Sequence, residues 1–189
     1  MIHISRRKEI ILDFDGTIAN SIKAICDTYN EDFQYYKDFT HTEWCDINTW
    51  DFKELILASK EYLNQLWEQP RFFERLTFMD NAESALTVLK EKYDISIASL
   101  GTQPNEIGKE IWIHKHMPYI KNFYFIDVEK YPDKSHIDMN SAIFIDDVSK
   151  YLRNTNANKK ILFGDSYPWN DDWRGMRCYN WVEVLKELY

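Results

Sequence analysis

Short apolar runs rich in β-branched and aromatic residues recur along the chain at 9–12, 95–99, 142–145 and 160–163, with 123–126 as a fifth. Each is too short for a stable helix and reads as a buried strand. Between the runs the period changes to that of a helix. Ala82, Ala85, Leu86 and Leu89 fall at i, i+3, i+4 and i+7 behind an Asp80-x-x-Glu83 capping box. Pro104 suits the first turn of a helix running to about His116, where Pro118 stops it. Asn180-x-x-Glu183 opens a last helix with Trp181, Val184, Leu185 and Leu188 on one face. Strands alternating with helices predict an α/β fold, a parallel sheet covered by helices on both faces. Ligands in such sheets bind beyond the carboxyl ends of the strands.

Residues 19–75 break the alternation, because no convincing strand lies there. Ile22, Ile25, Cys26, Tyr29 and Phe33 fit one helix. Phe52, Leu55, Ile56 and Leu63 fit another, with Asp51 and Glu54 placed to cap it. The predicted organisation is therefore a core of residues 1–18 and 76–189 and a small helical cap, 19–75, inserted after the first strand. A cap that leaves the chain at that point must overhang the end of the first strand.

Composition narrows the function classes. With 189 residues, 44% hydrophobic and 16% aromatic, the chain can bury one sizeable core plus a small insertion and is not of disordered type. A net charge of −8 disfavours a general surface for nucleic acid polymers. The basic cluster Arg6-Arg7-Lys8 precedes an apolar stretch that stops at Leu12, too short for an export signal, and no stretch approaches membrane-spanning length. Three cysteines, Cys26, Cys45 and Cys178, show no pairing pattern and read as reduced thiols of a cytoplasmic protein.

The chemistry gathers at the strand ends. The first run leads into Asp13-Phe14-Asp15-Gly16-Thr17. Two carboxylates two residues apart point to the same side of an extended chain, and the glycine lets the backbone turn. Such a pair repels itself unless a cation or proton sits between, which is costly as scaffolding and useful as a site. The second run delivers Ser99, a later loop carries Asp133-Lys134-Ser135, and the run at 142–145 delivers Asp146-Asp147. Carboxylates, a hydroxyl and an ammonium at successive strand or loop ends are what phosphoryl transfer requires: a nucleophile, donors to phosphoryl oxygens, and acidic metal ligands. A second acidic pair, Asp171-Asp172, follows no strand.

In this order the motifs resemble those of the haloacid dehalogenase superfamily, and the likeness spans essentially the whole chain. The closer resemblance is to the 5'(3')-deoxyribonucleotidase family. It rests on Gln69-Pro70-Arg71-Phe72-Phe73-Glu74-Arg75-Leu76, on Ile111-Trp112-Ile113-His114-Lys115-His116, and on the tail Tyr179-Asn180-Trp181-Val182-Glu183. The sequence departs from that family at Arg71, which replaces a glycine, at Phe14 and Thr17, and at Leu100 after Ser99.

The resemblance implies a Rossmann-like core and a cytoplasmic, Mg2+-dependent phosphatase of (deoxy)nucleoside 5'(3')-monophosphates. Asp13 is the expected nucleophile, forming an aspartyl-phosphate, and Asp15 the acid and base. Asp13, Asp147 and the Asp15 backbone carbonyl are expected to hold Mg2+, with Asp146 in support, an all-oxygen set suited to that ion. Ser99 and Lys134 are expected to bind the phosphate. Phe73 matches a family position that contacts the base, and Trp50 and Trp44 are further candidates, since a base is well held against aromatic faces. Arg71 reads equally as a surface charge or a substrate contact. His114 and His116, two residues apart on a helix, cannot share a metal, and His3, His41 and His136 show no partner pattern. The expected partner is a small nucleotide, with neither nucleic acid polymer nor membrane. The preferred base, sugar selectivity and a monomer or possible homodimer stay open. The alternatives are a phosphatase of another small phosphomonoester such as a sugar phosphate, a 3'-phosphatase of nucleic-acid ends, and a catalytically idle nucleotide-binding relative.

Overall fold

The computed structural model describes residues 7–120 and 122–189; His3 and Arg6 lie outside the described residues. Among the described residues six strands form one sheet: β1 (Lys8–Leu12), β2 (Tyr93–Gly101), β3 (Asn122–Asp127), β4 (Ile143–Asp146), β5 (Lys159–Phe163) and β6 (Met176–Cys178). Their order is β3-β2-β1-β4-β5-β6 and every pairing is parallel. The chain runs from β1 outward to β3, then returns to the other side of β1 with β4. That reversal opens a crevice between the carboxyl ends of β1 and β4, where ligands of doubly wound sheets bind.

The strands are buried on both faces, so each splits its apolar residues by period 2. Ile10, Leu12, Ile143, Ile145, Ile161 and Phe163 join a large cluster on one face, whereas Ile11, Phe144 and Leu162 join a smaller one on the other. α4 (Ala82–Leu89), α5 (Gln103–His116) and α7 (Trp181–Leu188) contribute Leu86, Trp112, Ile113 and Trp181 to the large cluster; α6 (Ser149–Asn154) contributes Leu152 to the small one. Trp181 is fully buried, and its Nε1 donates to the carbonyl of Thr17 at 2.9 Å, tying the last helix to the turn after β1.

Residues 19–75 hold α1 (Ser21–Phe33), a 3-10 turn (Trp44–Asp46), α2 (Lys60–Leu66) and α3 (Pro70–Arg75). Chain entry and exit lie side by side: Asn20 N donates to Thr77 O at 2.8 Å, and Met79 N to Ile18 O at 2.8 Å. Ala24, Ile25, Tyr29, Leu66 and Phe72 pack into the same large cluster as the sheet. Arg71 forks onto Asp32 and bonds Gln69, so α3 is pinned to α1.

Several local expectations are corrected. Residues 52–58 form turns rather than a helix; Phe52 sits at φ +53°, and Ser59 caps the shorter α2 by accepting from Tyr62 N. Glu54 instead accepts from Asn48 N and Thr49 Oγ1. Asp80 does not cap α4: Asn81 precedes the helix at φ +64°, with no side-chain cap. The helix openings at Asn180 and Pro104 are as expected, with Asn180 accepting from Glu183 N. No helix among the described residues is long and apolar enough to cross a membrane.

Candidate active site

The strand ends converge in the crevice. Asp13 follows β1, and its N–H donates to Ile145 O of β4 at 2.9 Å, fixing the two ends against each other. Carboxylate oxygens of Asp13, Asp146 and Asp147 lie within 4.8 Å of one another. Lys134 is fully buried and donates to Asp13 Oδ1 and, at 2.7 Å, to Asp146 Oδ2. Asp146 Oδ1 accepts from Val148 N at 2.8 Å, so both of its oxygens are engaged. Asp147 carries no donor on its carboxylate among the described residues and keeps part of its surface toward the cleft. Gly16 turns the chain at φ +71°; a Cβ there would stand 2.8 Å from Asp147 Oδ2. Only glycine suits both that conformation and that approach.

Asp15 faces a second cation. Lys109, buried on α5, bonds Asp15 Oδ2, Ser99 Oγ at 2.9 Å and Leu100 O at 3.1 Å, while Ser21 Oγ donates to Asp15 Oδ1. Sequence reasoning missed Lys109. Its signal is position: it shares the buried side of α5 with Asn105, Trp112 and Ile113, where a solvated lysine would not sit.

The electrostatics follow from burial. Removal from water pushes Asp13 up to about 7; Lys134 opposes the shift, and the Asp146 and Asp15 charges add to it. Burial, then the Asp13 and Asp146 charges, raise Asp147 well above the usual carboxylate range. Asp146 is raised by burial against the pull of Lys134. Burial works against the Lys134 charge, but Asp13 and Asp146 outweigh it and hold the ammonium above its ordinary range. Four carboxyls face two ammonium groups, so full ionisation would leave a surplus of two negative charges, and the upward shifts of Asp13 and Asp147, caused first by burial, also express that unbalanced charge. An all-carboxylate set with that surplus fits a hard divalent cation such as Mg2+.

A cleft of about 490 Å3 opens over Asp15, Gly16 and Asp147, walled by Trp50, Phe52, Trp67 and Trp169. Trp50, a candidate for the base-binding wall, lines this cleft. Trp44 borders a smaller adjoining hollow that also reaches Gly16 and Asp147. Phe73 is a correction: it lines a separate hollow with Pro70, Ile107 and Trp112, its ring occupying the space left by the missing side chain of Gly108. Ser99 is also displaced from its expected role. It is fully buried within β2 and bonds Lys109, so it stands behind the cleft surface. Arg71 is engaged by Asp32, and none of His41, His114, His116 or His136 joins the acidic cluster.

Residues 7–188 match the family described as 5' nucleotidase, deoxy (pyrimidine), cytosolic type C protein. A 5'(3')-deoxyribonucleotidase of Clostridium acetobutylicum is 29% identical over 176 residues, covering 92% of this chain and 90% of the relative. A HAD-superfamily hydrolase of Geobacter sulfurreducens superposes with a TM-score of 0.61 at 11% identity, over 97% of each chain. The HAD-hydrolase-type protein YfnB of Bacillus subtilis, solved bound to magnesium, gives 0.57 at 15% identity over 97% of this chain and 99% of its own. The family match spans nearly the whole chain and includes both strand ends that carry the acidic cluster, the solved neighbours share the fold, and by that match this protein belongs to the 5' nucleotidase, deoxy (pyrimidine), cytosolic type C family and is a phosphoric monoester hydrolase.

Proposed function

We propose that the enzyme hydrolyses (deoxy)nucleoside 5'(3')-monophosphates through an aspartyl-phosphate on Asp13, with Mg2+ as its cofactor. The observation that carries the reading is the pairing of Asp13 and Asp15 at one strand end with separate cations, Lys134 and Lys109. Two carboxylates in distinct environments can take distinct roles. Asp13 attacks phosphorus as the P–O ester bond breaks, and Asp15 gives its proton to the departing nucleoside oxygen. Asp15 then takes a proton from water, whose oxygen attacks the acyl phosphate, releasing inorganic phosphate and restoring Asp13. Lys134 lies against the nucleophile and partly neutralises charge gathering on phosphoryl oxygens.

Asp13, Asp147 and the Asp15 carbonyl would hold Mg2+, with Asp146 fixed beside them by Lys134 and Val148 N. When bound, the ion supplies charge neutralisation for phosphate and keeps the nucleophile ionised. In this reading residues 19–75 act as the cap and 1–18 with 76–189 as the core, joined where Asn20 meets Thr77. Three free cysteines and the acidic balance fit a cytoplasmic enzyme of small phosphates.

The test is a panel of deoxynucleoside and ribonucleoside monophosphates against sugar phosphates, with Mg2+ and with excess chelator. The expected result is Mg2+-dependent release of phosphate, with nucleotides preferred. Equal or better turnover of sugar phosphates would overturn the substrate assignment. Binding of nucleotide without turnover would overturn the enzymatic one.

A further inference from the structure

The loop between β5 and β6 carries a ring pair outside the cap. Tyr167 and Trp169 stack face to face, their centroids 4.5 Å apart and their planes 2° from parallel. Trp169 borders both the cleft over Asp15 and the smaller hollow of about 220 Å3 beside it, whereas Tyr167 borders only the hollow. Tyr167 thus takes one face of the indole from a position outside the cleft, and the face away from Tyr167 is the one we assign to the cleft. Trp50, from the cap, meets that indole in an edge-type contact at 5.7 Å between centroids. Trp50 is 58% exposed and can turn aside with little loss of packing.

The loop is held in place from several directions. Asn170 is fully buried; it donates to Asp147 O at 3.0 Å and to Asp165 O at 3.2 Å, and accepts from Tyr167 N at 2.9 Å. Arg177 of β6 donates to Gly164 O and Asn170 O, both at 2.9 Å. Ser149, which opens α6, donates to Trp169 O at 3.3 Å. The backbone that carries the indole is thus fixed relative to Asp147, one of the clustered carboxylates, and the ring itself is held by its stack on Tyr167. A flat π surface held rigidly beside a phosphate-handling centre suits a flat π ligand, because little ordering remains to be done on binding. A hydroxylated sugar ring gains far less from such a face.

We propose that Trp169 is a specificity-determining residue that contacts the substrate: the nucleobase stacks on its cleft-side face, extending the Tyr167–Trp169 pair to a third ring as Trp50 turns away. The inference rests on the nucleotidase reading above and assigns the base-binding wall to a core loop instead of the cap alone.

The test compares Trp169→Leu with Trp169→Phe, both of which fill space while only phenylalanine keeps a π face. Each is assayed with a deoxynucleoside 5'-monophosphate and with deoxyribose 5-phosphate, which lacks the base. Trp169→Leu is expected to raise KM for the nucleotide roughly 5- to 150-fold with kcat little changed, the range of a lost base–aromatic stack. Trp169→Phe restores most of the affinity, and both variants leave deoxyribose 5-phosphate turnover near wild type. A nucleotide KM unchanged in Trp169→Leu overturns the proposal, as does an equal loss on both substrates, which would mark the ring as packing. Wild-type enzyme that turns over deoxyribose 5-phosphate as well as the nucleotide would instead overturn the nucleotidase reading itself, before any variant is made.

Discussion

Lys109 and Asp15, 94 residues apart in the chain, form an ion pair at the floor of the cleft, and the same ammonium bonds the Ser99 hydroxyl at 2.9 Å. Ser99 therefore acts on Asp15 through Lys109. Lys109→Met should lower kcat by about one to two orders of magnitude, since the acid–base carboxylate loses the group that orients it. Ser99→Ala should cost much less. The double variant should be no worse than Lys109→Met alone, because residues acting in series are not additive. Steady-state kinetics of the three variants measure this; additive losses would show that Ser99 reaches the phosphate independently.

Asp13 and Asp15 have different jobs in the proposed mechanism, so their amides should fail differently. Asp13→Asn should abolish turnover while the protein still folds, because a neutral amide is not a nucleophile and its removal also relieves buried repulsion. Asp15→Asn should slow turnover by roughly 10²–10⁴-fold, the usual contribution of a positioned proton donor. Rapid-quench assays with labelled phosphate should trap label on Asp15→Asn and none on Asp13→Asn. Retained activity in Asp13→Asn would exclude the covalent route.

Among the described residues Asp147 has no donor on its carboxylate, whereas Asp146 is tied to Lys134 and Val148 N. Removal of divalent cations should silence the enzyme, and Mg2+ should restore it. Ligand-linked stabilisation reaches about 2.7 kcal/mol at a hundredfold excess over Kd, so Mg2+ should also raise the melting temperature of the wild type. Asp147→Asn should lose that Mg2+-dependent rise while melting no lower than wild type in chelator, since one buried like charge is gone. Scanning calorimetry with and without Mg2+ decides the point. An undiminished Mg2+ shift in Asp147→Asn would remove Asp147 from the ligand set.

Features that depend on neighbours in sequence were legible; those that depend on distant neighbours were not. The strands were readable because Ile10, Ile11 and Leu12 must alternate faces of a doubly covered sheet. The carboxylates were readable because Asp13 and Asp146-Asp147 directly follow such runs. β6 has only three residues, with Arg177 in the middle, and offers no period. Lys109 looks like any helical lysine until Asp15 is brought beneath it. Phe73 was misplaced because only the fold reveals that Gly108 leaves room for its ring. The 52–58 turns escaped because apolar spacing cannot register a positive φ at Phe52. Trp169 and Tyr167 sit in a polar loop with no repeat, and only the bonds of Asn170 make that loop a wall.

Asp32 accepts a fork from Arg71 and a 2.8 Å bond from the Tyr62 hydroxyl, joining α1, α2 and α3 away from the acidic cluster. The bond from Arg71 is the largest influence and holds the Asp32 carboxyl below its ordinary 3.8, against a smaller opposing effect of burial. A carboxylate depressed in the folded state stabilises it above the unfolded pKa, and that contribution is lost as pH falls through the folded one. Both partners are partly exposed, so screening keeps the effect to about 1 kcal/mol, or a drop of ~2–4 °C in Tm for Asp32→Asn at neutral pH. Urea titrations from pH 7 down to pH 3 should find wild type and Asp32→Asn separated above about pH 4 and the gap narrowing below 3.8, where the unfolded chain takes up the proton before the native carboxyl does. Turnover should change little at pH 7, because the bridge braces helices and touches no reacting group. A stability gap that stays constant down to pH 3 would mean that Asp32 contributes by packing and not by charge.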